Sequence, residues 1–311
     1  MDLQEFNETS LFPNEGVTIA ASLRSALLLA LTYYLCSIIG FDLTPREMPI
    51  SLFWPANAIL LAALLVVPPR LWWVLLLAVL PAYLLAQTKT GIPLRTAFES
   101  FGANVGEALI GAACVRSFTA VEALFQSVRG VLVFLAFGVV LAPLVSSLAN
   151  AAIAAGAQWG NGYWTLWRAR LFSNMLAALT LTPTIVLVFQ NGRSWIQHAS
   201  RSRILEGLVL LALIVLVSVL VFGNVEPTSP ALMFTLLPLL VWVVVRFGAI
   251  GIYPSLLAIS LISMRDAMRG RHPFISVPMR ESALALQIFL SATALPMVLL
   301  AAALEIGRAH V

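Results

Sequence analysis

An all-α, polytopic bundle of transmembrane helices is the fold class this sequence predicts, with eight to ten helices including two short helical hairpins. Three observations carry that reading. Of the 311 residues, 60% are hydrophobic and only 10% charged, too few charges to cover the surface of a soluble domain. Mean hydropathy is +0.96, and apolar runs of membrane length recur along the whole chain. Those runs lack the alternation over about ten residues that marks the strands of a transmembrane barrel. The formal charge of +4 is spread over loops, which points to the lipid bilayer as a partner and away from nucleic acid.

Residues 1–16 form an acidic tail that lacks the positive start of a cleaved signal peptide, so the first span is expected to be retained. Ten apolar segments follow, at about 17–39, 51–67, 71–86, 96–116, 129–154, 168–190, 203–222, 231–245, 249–263 and 280–304. The loops between them are short, so 17–304 reads as one integral membrane domain. Cys36 and Cys114 lie inside apolar runs and are expected to be unpaired thiols.

The stretch Ser51–Gln87 organises the chain. Its first arm opens on Trp54-Pro55-Ala56-Asn57, and its second opens on Trp72-Trp73. Pro68 and Pro69 remove two donors and force extended backbone before them, so one straight helix cannot run through. The result is a helical hairpin with Arg70 at its tip, which either spans the bilayer or dips in and out from one side. A second hairpin, with the corner Arg246-Phe247-Gly248, resembles the first. Segments one to four and seven to ten thus share a long, short, short, long pattern, as a parallel repeat would. Between segments four and five, Phe118, Val121, Leu124, Phe125 and Val128 recur at helical spacing, which predicts an amphipathic helix in the interface. Trp159, Tyr163, Trp164 and Trp167 predict a connection settled at headgroup level.

Polar residues inside apolar runs supply the candidate site. Glu107 lies midway along 96–116, where a carboxylate must face the bundle and find partners. It is either a ligand-binding or proton-responsive group or a hydrogen-bonded strut. Asn104 and Gly111 share its face, and Gly102 with Gly106 forms a GxxxG pair that predicts close approach of another helix. Glu99, nearer the helix start, is expected at the interface. Arg70 and Arg246 are either snorkelling cations or, in re-entrant hairpins, inward-facing groups with Glu107 as a natural partner. Asn57, Asn150, Asn174 and Gln287 predict interhelical amide hydrogen bonds. Pro143, Pro183 and Pro296 predict helix kinks, and Arg265, Arg269, Arg271 and Arg280 cluster about one loop. Lys and Arg divide evenly between the two sides, so charge does not orient the chain, although the termini share a side. No catalytic signature occurs, and His198, His272 and His310 lack metal-ligand spacing. The expectation is a chain that is not an enzyme and carries no cofactor.

Several of these motifs together resemble a known family. They are Phe53 to Gln87, Asn104-x-x-Glu107-Ala108, Tyr163-Trp164-x-x-Trp167-Arg168-x-Arg170 with Ser173-Asn174, Thr182-Pro183, and Leu237-Pro238 through Trp242 to Arg246-Phe247-Gly248. In order and spacing they resemble the first-described type of membrane-associated sensor (MASE) domain, found in bacterial sensor histidine kinases and diguanylate cyclases. The resemblance covers about residues 20–304. It implies an inner-membrane sensory domain with a cytoplasmic C-terminus, joined to an output module, a histidine kinase first among them, that dimerises. The closing stretch Glu305–Val311 reads back into codons as a sequencing-library adapter, so the natural sequence is expected to depart at about Leu304. On this reading Trp54, Pro55, Asn57, Arg70, Asn104, Glu107, Asn174 and Arg246 are candidates for sensing a small molecule or the state of the membrane. The alternative, a small-molecule transporter, rests on the apparent repeat and the broken helices.

Overall fold

The computed structural model describes residues 19–45, 50–158, 162–223, 230–271 and 279–309. The acidic tail, Trp159 and the middle of the arginine-bearing loop lie outside those residues. The main elements are helices: α1 Ile19–Asp42, α2 Pro55–Val66, α3 Trp72–Gln87, α4 Leu94–Phe118, α5 Val128–Gly156, α6 Tyr163–His198, α7 Arg201–Phe222, α8 Leu236–Phe247, α9 Ala249–Met268 and α10 Met279–Ala309. Among the described residues, six helical stretches are long and apolar enough to cross a membrane. The protein is a multi-pass helical membrane bundle.

At the centre lies α2, with ten of its twelve residues buried, packed against α1, α4 and α6. It starts late. Trp54 precedes a proline and adopts φ −109°, ψ 89°, outside the helical region, so the helix begins at Pro55 in the middle of the bundle. Its rise is about 18 Å, roughly half a bilayer plus a turn. Ser51 to Trp54 are buried without being helical, a state tolerated at such depth only when the backbone finds partners within the protein. Here Leu52 N–H donates to Leu43 O, Phe53 N–H donates to Ser51 Oγ, and Leu52 O accepts from Gln287 Nε2 of α10 at 2.7 Å.

Both hairpins run the length of the bundle. Arg116 Nη1, in the last turn of α4, donates to Leu65 O near the end of α2 at 2.6 Å. The first turn of α4, by contrast, adjoins the loop that leads into α2, because Pro93, Thr44 and Ile50 line one cavity. The Pro68–Arg70 tip is therefore level with the far end of α4, with Arg70 exposed. In the second hairpin, Arg203 Nη2 donates to Arg246 O, and Arg246 pairs with Glu206 at 2.6 Å, so the α8 end meets the α7 start. Arg271 then meets Gly223 O at the other end of α7. The corner turns on Gly248, whose φ of 59° with ψ of −143° is readily accessible only to glycine.

Ends sort accordingly onto two faces. The α1 C-terminus and the residues before α2 share the cavity-mouth face with the α3–α4 loop. α10 passes Leu52 through Gln287 and later packs on the first turns of α5, so it leaves on the face where α1 begins. α6 joins the two halves, touching α2 and α5 on one side and α9 and α10 on the other. The halves match in helix lengths but not in packing. α2 is buried all round, whereas α8 exposes Val241, Trp242 and Val245.

Three local expectations are corrected. Residues 118–128 do not make an interfacial helix: a short 3₁₀ turn at Val121–Ala123 turns Leu124 and Phe125 into the core, where Phe125 meets Phe134 and Tyr253 edge-on. Gly102 and Gly106 have open space where a Cβ would stand, so the GxxxG pair holds no helix close. Close approach occurs one turn on, at Gly111, where a Cβ would lie 3.1 Å from Leu61 Cδ1 and 3.4 Å from Ala142 Cβ. Tyr163, Trp164 and Trp167 belong to the first turns of α6 rather than to a loop. Ahead of Pro143, α5 widens into a π-helical segment at Phe134–Leu141, which accommodates a residue with no N–H to donate. Cys36 and Cys114 are free thiols.

Candidate functional site

Four helices, α2, α4, α5 and α6, bring polar side chains to the level where α2 begins. Glu107, halfway along α4 and 4% exposed, accepts three hydrogen bonds on Oε2: from Asn57 Nδ2 at 2.9 Å, Ser146 Oγ at 2.6 Å and Asn174 Nδ2 at 2.7 Å. α4 and α5 run antiparallel in a register that pairs Glu107 with Ser146 and Gly111 with Ala142. α4 and α6 run parallel, matching Asn104 to Arg170 and Glu107 to Asn174. These registers place donors from α2, α5 and α6 on one carboxylate oxygen, the arrangement a carboxylate needs away from water.

A second layer adjoins it. Arg170 Nη2 donates to Asn104 Oδ1 at 2.7 Å, and Asn57 Nδ2 reaches the same oxygen at 3.4 Å. Asn57 and Asn104 thus bridge the guanidinium and the carboxylate, which make no direct ion pair. Trp54 Nε1 donates to Asn57 Oδ1 at 3.3 Å. The indole is seated by α1, packing on Phe41 at a ring separation of 5.3 Å and over Gly40, where a Cβ would stand 2.5 Å from Trp54 Cε3. Pro55 sets the helix start and so aims Asn57 at Glu107.

The mouth-side boundary of this network is a cavity of about 410 Å³. Phe41, Trp54 and Tyr83 form its aromatic walls, and Arg170, Ser173 and Asn174 line it from α6. Tyr83 OH accepts from Gln87 Nε2 at 2.6 Å, and its ring lies edge-on to Tyr33 at 6.5 Å. Several buried polar atoms in this region have no partner: Arg170 Nε, Ser173 Oγ, Asn174 Oδ1, Asn104 Nδ2 and Tyr33 OH. Unmet hydrogen-bonding capacity is therefore concentrated beside the cavity. Among the described residues no group of three His, Cys, Asp or Glu is placed to hold a metal ion.

Of the residues singled out by sequence, Trp54, Pro55, Asn57, Asn104, Glu107 and Asn174 come together here. Arg70 and Arg246 do not. Arg70 is exposed at the hairpin tip, and Arg246 pairs with Glu206 on the far face, because each hairpin tip lies level with the end of a neighbouring long helix instead of folding back inside the bundle. The cation near Glu107 is Arg170, which the sequence reading put at an interfacial helix start. Its spacing to Ser173 and Asn174, i+3 and i+4 on one face, was the available signal. Ser146 carried none, since serines are common in such helices, and Ser173 stood out only within the resembling motif. Of the other amides, Gln287 bonds Leu52 O, while Asn150 bonds back to Ser146 O within its own helix. Glu99 pairs with Arg95 at 2.8 Å on the exposed mouth side.

Comparison with curated proteins and with solved structures returns no match. A family model does match: MASE1, over residues 25–306, a membrane-associated sensor domain of signalling proteins. That span contains every helix of the polar network and the cavity beside it, and the chain belongs to the MASE1 family of membrane-associated sensor domains.

Proposed function

We propose that the chain is the input domain of a bacterial signalling protein in the plasma membrane, relaying a stimulus felt at the cavity to a cytoplasmic output module. A histidine kinase, dimerising through its own region, is the output this reading favours. α10 is the relay, with its C-terminal face cytoplasmic and the cavity mouth on the opposite side. The observation that carries the reading is the bond from Gln287 Nε2 of α10 to Leu52 O at 2.7 Å. Leu52 lies on the non-helical segment that sets Trp54 and Asn57, so a change in the network bears directly on α10. The relay requires two packings a few kcal/mol apart to which the stimulus binds unequally.

The test fuses residues 1–304 to a histidine kinase and replaces Gln287 by Leu, which keeps the bulk and removes the donor. Autophosphorylation in membranes is expected to lose its response to the host's growth condition while the protein still inserts. A response equal to the unmodified fusion refutes the relay. Orientation is checked by replacing Lys89 with Cys in a background lacking Cys36 and Cys114. An impermeant maleimide applied to whole cells with a permeabilised outer membrane should label it, and should not label Arg70→Cys.

A further inference from the structure

We propose that the cavity is a binding site for a small organic anion, a carboxylate or phosphate carried on an apolar or aromatic body. This rests on the sensor reading and names the chemistry its stimulus would have. Three independent features converge. First, among the described residues that line the cavity, Arg170 is the only one with a charged side chain. Its Nη2 is engaged by Asn104 Oδ1, but among the described residues its Nε is buried with no partner and no carboxylate lies within ion-pair distance. Second, Ser173 Oγ and Asn174 Oδ1 are unpartnered on residues 1% and 2% exposed, one turn along the same helix face. A hydroxyl and a guanidinium N–H side by side form a two-point donor for an oxyanion. The Asn174 carbonyl adds an acceptor for a ligand O–H or N–H.

Third, two helices begin at this cavity. Trp54 and Pro93, the residues that precede α2 and α4, both line it, so the N-terminal, positive dipole ends of a 12-residue and a 25-residue helix adjoin it. Phe41, Trp54 and Tyr83 give the remainder of the ligand an aromatic slot. At about 410 Å³ the volume suits a compact molecule rather than a peptide. Lipid headgroups carry the same phosphate chemistry, and the experiment separates that source from a soluble one.

The chain is reconstituted in phosphatidylcholine nanodiscs, and binding of benzoate, benzyl alcohol and benzylamine is measured by calorimetry, with inorganic phosphate as competitor. Benzoate is expected to bind saturably and phosphate to displace it, with the neutral and cationic analogues roughly tenfold weaker or worse. Ser173→Ala, which leaves the Glu107 network intact, should weaken benzoate by about fivefold to tenfold, and Arg170→Gln should abolish binding. Nanodiscs containing phosphatidylglycerol identify the source. Loss of benzoate affinity there, at an ionic strength that screens the surface charge of the anionic bilayer, assigns the site to a headgroup, and unchanged affinity assigns it to a soluble anion. Equal binding of the three analogues, or a Ser173→Ala affinity equal to the parent's, overturns the proposal. The kinase fusion reads the relay separately, so a relay that works with no anion binding separates the two readings.

Discussion

Replacing Glu107 by Gln is the sharpest perturbation of the network, because one oxygen accepts three donors from three helices. The contacts are 2.9, 2.6 and 2.7 Å, from Asn57, Ser146 and Asn174. A buried hydrogen bond to a charged group contributes about 1.5–3 kcal/mol and a neutral one about 0.5–1.5 kcal/mol, so each bond weakens by roughly 1 kcal/mol. The glutamine also brings an NH₂ where the second carboxylate oxygen stood. The expected loss is about 3 kcal/mol for Glu107→Gln, and on the order of 5 kcal/mol for Glu107→Ala, which strands three donors. Reversible unfolding in mixed micelles, titrated with dodecyl sulfate, measures both. A double-mutant cycle with Ser146→Ala should return a coupling of about 1 kcal/mol, in the upper range for bonds between membrane helices. Stability of Glu107→Gln within about 0.5 kcal/mol of the parent, with no coupling to Ser146, would show that the carboxylate does not hold these helices together, and the registers argued from it would fall.

Other expectations follow from the packing. Gly111→Ala should cost about 1–3 kcal/mol by pressing on Leu61 and Ala142, whereas Gly106→Ala, facing open space within a helix, should stabilise by about 0.4–1 kcal/mol. The same unfolding titration ranks them, and the reverse order would reinstate the GxxxG contact. Gly40→Ala drives a Cβ to 2.5 Å from Trp54 Cε3, so the indole must shift and its bond to Asn57 should be lost. Quenching of Trp54 by a soluble quencher, in a background with the other tryptophans replaced by phenylalanine, should rise. Arg116→Met removes the donor to Leu65 O at the end of α2, costing about 1.5–3 kcal/mol with faster proteolysis at the Pro68–Arg70 tip as the second readout.

Sequence alone determined the fold class, the ten helical segments, the two proline- or glycine-turned corners and five members of the polar network with the proline that starts α2. Physically, these are local or one-body signals. An apolar run of membrane length must be helical to satisfy its own backbone, and a carboxylate or amide inside such a run must face protein. Which groups meet is different, because it depends on helix register, and register leaves no mark on a single chain. Glu107 could be recognised as needing partners, but Ser146 and Asn174 reach it only because α5 runs antiparallel to α4 and α6 runs parallel to it. Arg70 looked like the nearby cation on the possibility that the hairpin turned back inside. Arg116 holding Leu65 O shows that the hairpin tip lies at the far end of α4, and Arg170 takes that place from another helix. The amphipathic spacing at 118–128 likewise marked an apolar face truly and misjudged what covers it, since lipid and a protein core are alike to a leucine or a phenylalanine. Only the packed bundle decides which of the two it meets.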